Sequence, residues 1–119
     1  VSFEQGLKLN DLLILGGQIS ASTTGEAVHP GDLAAQARRI METISNILAG
    51  FDATCDDLAK VTVMYATKGG RSDLETVVEA ISPFFKKGLP AFTLVPLARL
   101  GLDQIEIEIE GIGAVGGRS

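Results

Sequence analysis

Between Gln104 and Ile112 glutamate alternates with isoleucine, so an extended chain carries Glu106, Glu108 and Glu110 on one side and Ile105, Ile107 and Ile109 on the other. Period two predicts a strand over Gln104 to Ile112. Burying the isoleucines leaves three carboxylates about 7 Å apart along one face. A row of acids is commonly a solvated sheet face. A glutamate enclosed among apolar neighbours is different, because desolvation and like charge raise its pKa and suit it to acid-base work on water.

Few other residues compete for chemistry. His29 stands in a polar loop before Pro30, with no Cys or Ser at nucleophile spacing, and reads as an exposed side chain. Cys55 is the one cysteine, so no internal disulfide forms, and one Cys with one His is too few for a structural zinc site. Tyr65 could bring a hydroxyl to a cleft, although a strand tyrosine more often packs its ring. Gly16-Gly17-Gln18 follows the apolar run Leu12 to Leu15, and two glycines there let a ligand or another backbone come close. The spacing of a phosphate loop is missing and no lysine follows, so a bulge or tight bend reads equally well.

The elements that must position these groups follow from pattern. Val1 to Leu9 and Leu12 to Leu15 read as strands around an Asn10-Asp11 turn, the second continuous enough in apolar residues to suggest burial on both faces. Asp32 and Gly50 bracket an amphipathic helix, with Gly50 closing it in the left-handed conformation. Leu58 to Ala66 alternates as a strand. Ser72 and Glu75 have capping-box spacing for a second helix, which Pro83 should kink or shorten. Ala91 to Leu97 is another extended run, and Val115 to Ser119 is a Gly-rich, flexible tail. The order is β-β-α-β-α-β-β, with helices about 17 and 14 residues long. Each helix has one apolar stripe, so one mixed sheet with both helices on one side satisfies both, and the other face fits burial against another subunit.

The chain's 119 residues suffice for a single domain, 1–114, with a core of Ile, Leu, Val and Ala, since aromatics make up only 5%. No apolar run reaches the roughly 20 residues of a membrane span and no signal-peptide layout opens the sequence, so a cytoplasmic protein without membrane contact is expected. A net charge of −5 without a basic cluster argues against nucleic acid as a partner.

Five segments together carry a resemblance to the RidA/YjgF family: LLILGGQI at 12–19, TGEAVHPGDLAAQARRIMETISNIL at 24–48, DDLAKVTVMYAT at 56–67, LPAFTLVPLARL at 89–100 and EIEGIGA at 108–114. The likeness spans essentially the whole chain. It implies a chorismate-mutase-like α+β fold, a homotrimer with ligand clefts between subunits, and, in active members, cofactor-free and metal-free hydrolysis of imines or enamines such as 2-aminoacrylate and 2-iminopropanoate. Glu108 matches the water-positioning glutamate of that family. Where active members have an arginine that grips the substrate carboxylate, this chain has Phe92, which argues against the usual deaminase activity. Phe3, Gly16 and Val78 stand where the family has tyrosine, serine and asparagine. The implied substrate-binding set is therefore Phe3, Gly16, Gly17, Val78, Phe92 and Thr93, a pocket suited to a ligand with an apolar part. Two readings follow: a divergent hydrolase or deaminase acting on a C–N bond through Glu108, or a small-molecule-binding trimer without chemistry. An endoribonuclease is a remote third.

Overall fold

Val61, Val63 and Tyr65 alternate with Lys60, Thr62 and Met64. In the computed structural model, which describes residues 4–117, the first three are buried and the second three half-buried. They form β3 (Leu58–Ala66), flanked in one sheet by β5 (Ile107–Ala114) and β4 (Ala91–Leu97). Beyond β5 come β2 (Leu12–Ile19) and then β1 (Gly6–Leu9), giving the order β1-β2-β5-β3-β4. Only β3 and β4 are parallel. A parallel pair needs a crossover, and α2 (Arg71–Ile81) supplies it. Pro96 lies within β4, on an outer edge of the sheet, where a residue without an amide proton is tolerated.

The first helix, α1 (Leu33–Ala49), begins as its sequence predicts, with the Asp32 carboxylate accepting the Ala35 N–H at 3.0 Å. Its end differs from expectation. Gly50 is right-handed (φ −64, ψ −18), and the left-handed residue of the turn is Asp52 (φ 59), two positions later, because Asp also tolerates that conformation. The α2 start differs as well. Gly70 (φ 103) precedes it without a side-chain cap, and Glu75 bonds Arg71 Nε at 3.0 Å instead of closing a box with Ser72. Pro83 does shorten the helix, which ends at Ile81 and passes into a 3-10 turn over Ser82–Phe84.

Both helices lie on one face of the sheet. Ile40, Ile44 and Leu48 of α1 and Val77 and Ile81 of α2 pack with Leu13, Leu15, Val61, Val63, Ile107 and Ile109 in one core. The molecule measures 39 × 34 × 18 Å, the thickness of a sheet and one helix layer. The opposite face of the sheet is uncovered. Leu7, Leu9, Leu12 and Ile112 stand there at 44, 55, 39 and 41% exposure, more than a settled apolar face leaves to water. Leu12 to Leu15 is thus buried on one side only within the chain.

Three strand limits move. The first strand covers Gly6–Leu9, and residues 1–3 lie outside the described range. The second continues past Leu15 to Ile19, through a bulge at the glycines. The last begins at Ile107, because Gln104 is left-handed (φ 63) and turns the chain before it can pair. Of the expected flexible tail, the Val115 N–H donates to the Asp11 carbonyl at 2.9 Å and the Gly116 N–H to the Asp57 carboxylate at 2.9 Å. Those two residues are fastened.

Candidate functional site

Glu108 faces the uncovered side, because its neighbours Ile107 and Ile109 both point into the core at 0% exposure. It sits half-buried between Met64 on β3 and Ile19 on β2. On the β2 side the ladder bulges between Leu15 and Gln18, which lifts Gly16 and Gly17 out of register. A side chain at position 17 would begin 2.6 Å from Glu108 Oε2. Gly17 is therefore what lets the carboxylate lie against the backbone. Buried Gln18 holds the bulge, its amide nitrogen donating to the carbonyls of Gln5 at 3.1 Å and Gly16 at 3.0 Å. The Gly16 N–H is itself engaged with the Gln5 carbonyl at 3.0 Å, so it is not open to a ligand in this arrangement.

The other two glutamates sit in different surroundings. Glu106 lines a cavity of about 560 Å³ formed by Ala66 and the loop from Ala98 to Ile105. Glu110 is exposed at a cleft of about 270 Å³ shared with Ile14, Lys60, Thr62 and Ile112. None of the three carboxylates forms an ion pair among the described residues.

The expected binding residues divide between the two sides of the sheet. Gly16, Gly17 and Glu108 come together at the bulge. Thr93 is on the same open face, on β4, in register with Thr62, and its hydroxyl accepts a hydrogen bond from Lys60 Nζ. Phe92 pairs with core-facing Val61 and packs its ring against the core, while Val78 is half-buried on α2 in the helix layer. A single chain thus does not bring Phe92 or Val78 to Glu108. Phe3 lies outside the described residues. Among those described, no three His, Cys, Asp or Glu side chains converge as metal ligands, and no helix is long and apolar enough to cross a membrane.

One structural residue was missed by the sequence reading. Gln36, fully buried in α1, donates to the carbonyls of His29 at 3.0 Å and Gln104 at 2.9 Å and accepts from the Glu106 N–H at 2.8 Å. It locks the loop that leads into β5. The available signal was phase: Gln36 follows Leu33 by three residues and precedes Ile40 by four, inside the apolar stripe. Cys55 is buried beside Ser45, and burial pushes its thiol pKa up; the Ser45 hydrogen bond opposes the rise and the Asp56 charge adds to it.

The sequence profile of the endoribonuclease L-PSP family matches residues 1–115. The chain is 32% identical over 111 residues to the 2-iminobutanoate/2-iminopropanoate deaminase of Escherichia coli K12, covering 92% of this chain and 84% of that protein. A RutC family protein of Pyrococcus abyssi is 33% identical over the same length and shares. Among solved structures, Escherichia coli TdcF with bound serine superposes with a TM-score of 0.79 at 30% identity, over 96% of this chain and 88% of that one. The YjgF gene product of Escherichia coli gives 0.79 at 33% identity, over 95% and 87%. A profile match across nearly the whole chain, with the same fold in relatives at and above 30% identity, makes this protein a member of the RidA/YjgF (endoribonuclease L-PSP) family.

Proposed function

We propose that the protein is a homotrimer with small-molecule sites between its subunits, and that it hydrolyses a C–N bond, in an enamine, imine or amide, with Glu108 activating water. The observation that carries this reading is the seat of Glu108: a half-buried carboxylate held over Gly17 on a sheet face with no cover of its own. For an imine, Glu108 takes a proton from water as the oxygen bonds to the imine carbon. That proton passes to nitrogen to give a carbinolamine; Glu108 then moves the carbinolamine's hydroxyl proton to nitrogen as well, the C–N bond breaks with its electron pair going to nitrogen, and a carbonyl compound and ammonia leave. Support comes from a deaminase name among the relatives and from serine bound in TdcF. The exposed leucines and Ile112 support the assembly.

The test is turnover of an imine, enamine and amide panel by wild type and Glu108→Gln. General-base catalysis predicts a loss of about 10² to 10⁴-fold in the variant; equal rates would end the reading. A second reading, a trimer that binds a small molecule without transforming it, is favoured by Phe92, whose ring is turned into the core and offers a substrate carboxylate no charge. Thermal stabilisation by a metabolite that is recovered unchanged would select it. Ribonuclease activity fits poorly with a net charge of −5.

A further inference from the structure

The cavity of about 560 Å³ at Glu106 is walled by one chain, by Ala66 at the end of β3 and by the loop that joins β4 to β5. It includes neither Glu108 nor Gly17. The Ala66 N–H donates to the Glu106 carbonyl at 2.8 Å, and the side chain of Ala66 is a single methyl, so the half-buried Glu106 carboxylate keeps open space beside it. Arg99 lines the same space, yet it forms no ion pair with Glu106 or with Asp103, the other acid there. Among the described residues, no backbone N–H from Arg99 to Gln104 donates within the chain; that of Ile105 turns back to the Leu102 carbonyl at 3.4 Å. The loop is nevertheless fastened from inside. Fully buried Gln36 holds the Gln104 carbonyl and the Glu106 N–H, and Gln104 itself is left-handed at φ 63, a strained conformation for a residue with a side chain. Leu102 stands at the cavity 57% exposed, more than any leucine or isoleucine of the open sheet face.

We propose that this cavity is a second ligand site, separate from that of Glu108, and that it takes a small zwitterion: a free α-amino acid with an apolar side chain. Opposite charges that share a cavity without meeting suit a ligand that carries both. Arg99 and the loop amides take the carboxylate, Glu106 takes the ammonium, and the apolar side chain covers Leu102. A sphere of that volume is about 10 Å across, a gap that an amino acid and the flexible stem of Arg99 close together. Two acids against one arginine disfavour a ligand with a second carboxylate. Gln36 is the positioning residue, since it sets the turn from which Glu106 projects. The site is complete within one chain, so it depends neither on the trimer nor on the hydrolase reading.

The test is titration of the nitrogen-15-labelled protein with L-leucine, with 4-methylpentanoate, which lacks the ammonium, and with leucinamide, which lacks the carboxylate. It is run at about pH 6.5, where leucinamide keeps its charge. Leucine should saturate, with shifts at Ala66 and along the amides from Arg99 to Glu106. Arg99→Gln should weaken leucine and 4-methylpentanoate about 10- to 100-fold and leave leucinamide unchanged. Glu106→Gln should weaken leucine and leucinamide to a similar degree and leave 4-methylpentanoate unchanged. Neither side chain has an ion-pair partner to lose, so both variants should melt as wild type does. Glu108→Gln should bind leucine undiminished. No saturable binding of leucine to wild type, or losses that do not sort by ligand charge, would overturn the assignment. Shifts centred on Gly17 and Ile19, or a loss in Glu108→Gln, would put the amino acid at Glu108 instead and overturn it as well.

Discussion

Glu108 keeps its place because position 17 has no side chain. Gly17→Ala would put a methyl group on the carboxylate, and the cheapest relief is for that flexible side chain to swing away. Stability should therefore change by no more than about 0.5 kcal/mol, while turnover falls as far as in Glu108→Gln. Paired melting curves and rates check this; a melt collapsed by several kcal/mol would place the conflict in the backbone. Strict alternation made the side of the sheet that Glu108 occupies legible. Nothing in Pro90-Ala91-Phe92 told which way the ring points, since that depends on β4 pairing in parallel with β3. Cys55 carries a separate expectation. Burial raises its pKa in the folded state, so the unfolded chain loses the proton first as pH rises. The folded state's advantage is full below the ordinary thiol range and is lost as pH climbs through the raised value. Denaturant midpoints should fall on the alkaline side in wild type, with that part of the fall absent from Cys55→Ala.

At the scale of elements, Gln36 does for β5 what Gly17 does for Glu108. Its amide joins α1 to the loop at His29 and to the turn at Gln104 and Glu106, across 68 and 70 positions of sequence. Gln36→Leu would leave two carbonyls and an N–H without partners in a dry place, at a cost of about 3 kcal/mol; Gln36→Glu, which keeps the acceptor and loses both donors, should also destabilise. Urea midpoints decide. A neutral Gln36→Leu would show that water or rearrangement replaces the amide. The β3–β5 ladder makes a second demand: a side chain at position 113 would begin 2.1 Å from the Asp57 carbonyl oxygen, against 3.3 Å from the Lys60 oxygen at position 111. Gly113→Ala should cost more than Gly111→Ala, and the reverse order would mean that the bulge at Ala59 relaxes freely. Period and composition located every helix and strand. Their ends depended on particular left-handed residues, Asp52 and Gln104, and on the pairing of Glu75 with Arg71, none of which periodicity records.

For the whole molecule, the question is what covers the uncovered face. Among the described residues, five exposed leucine and isoleucine side chains, Leu97 included, stand there beside one ammonium and three carboxylates. Light scattering should give three times the chain mass, and Ile112→Glu, which sets a charge among them, should shift the protein toward single chains while its circular dichroism is kept. A wild type running as one chain would remove the shared site from consideration. This face was readable in outline from the sequence, because apolar residues of several strands fall on the glutamate side. Which residues a second subunit would bring to Glu108 was not readable, since no pattern within one chain encodes a contact between two.

Pro96 bears on how such chains can join. A further strand docking along β4 would meet a proline ring where a hydrogen-bond donor is needed, so growth sideways into a continuous ribbon is hindered at that rim. Association is thereby steered from the border of the sheet to its broad surface, which favours a closed particle of few copies over a fibre.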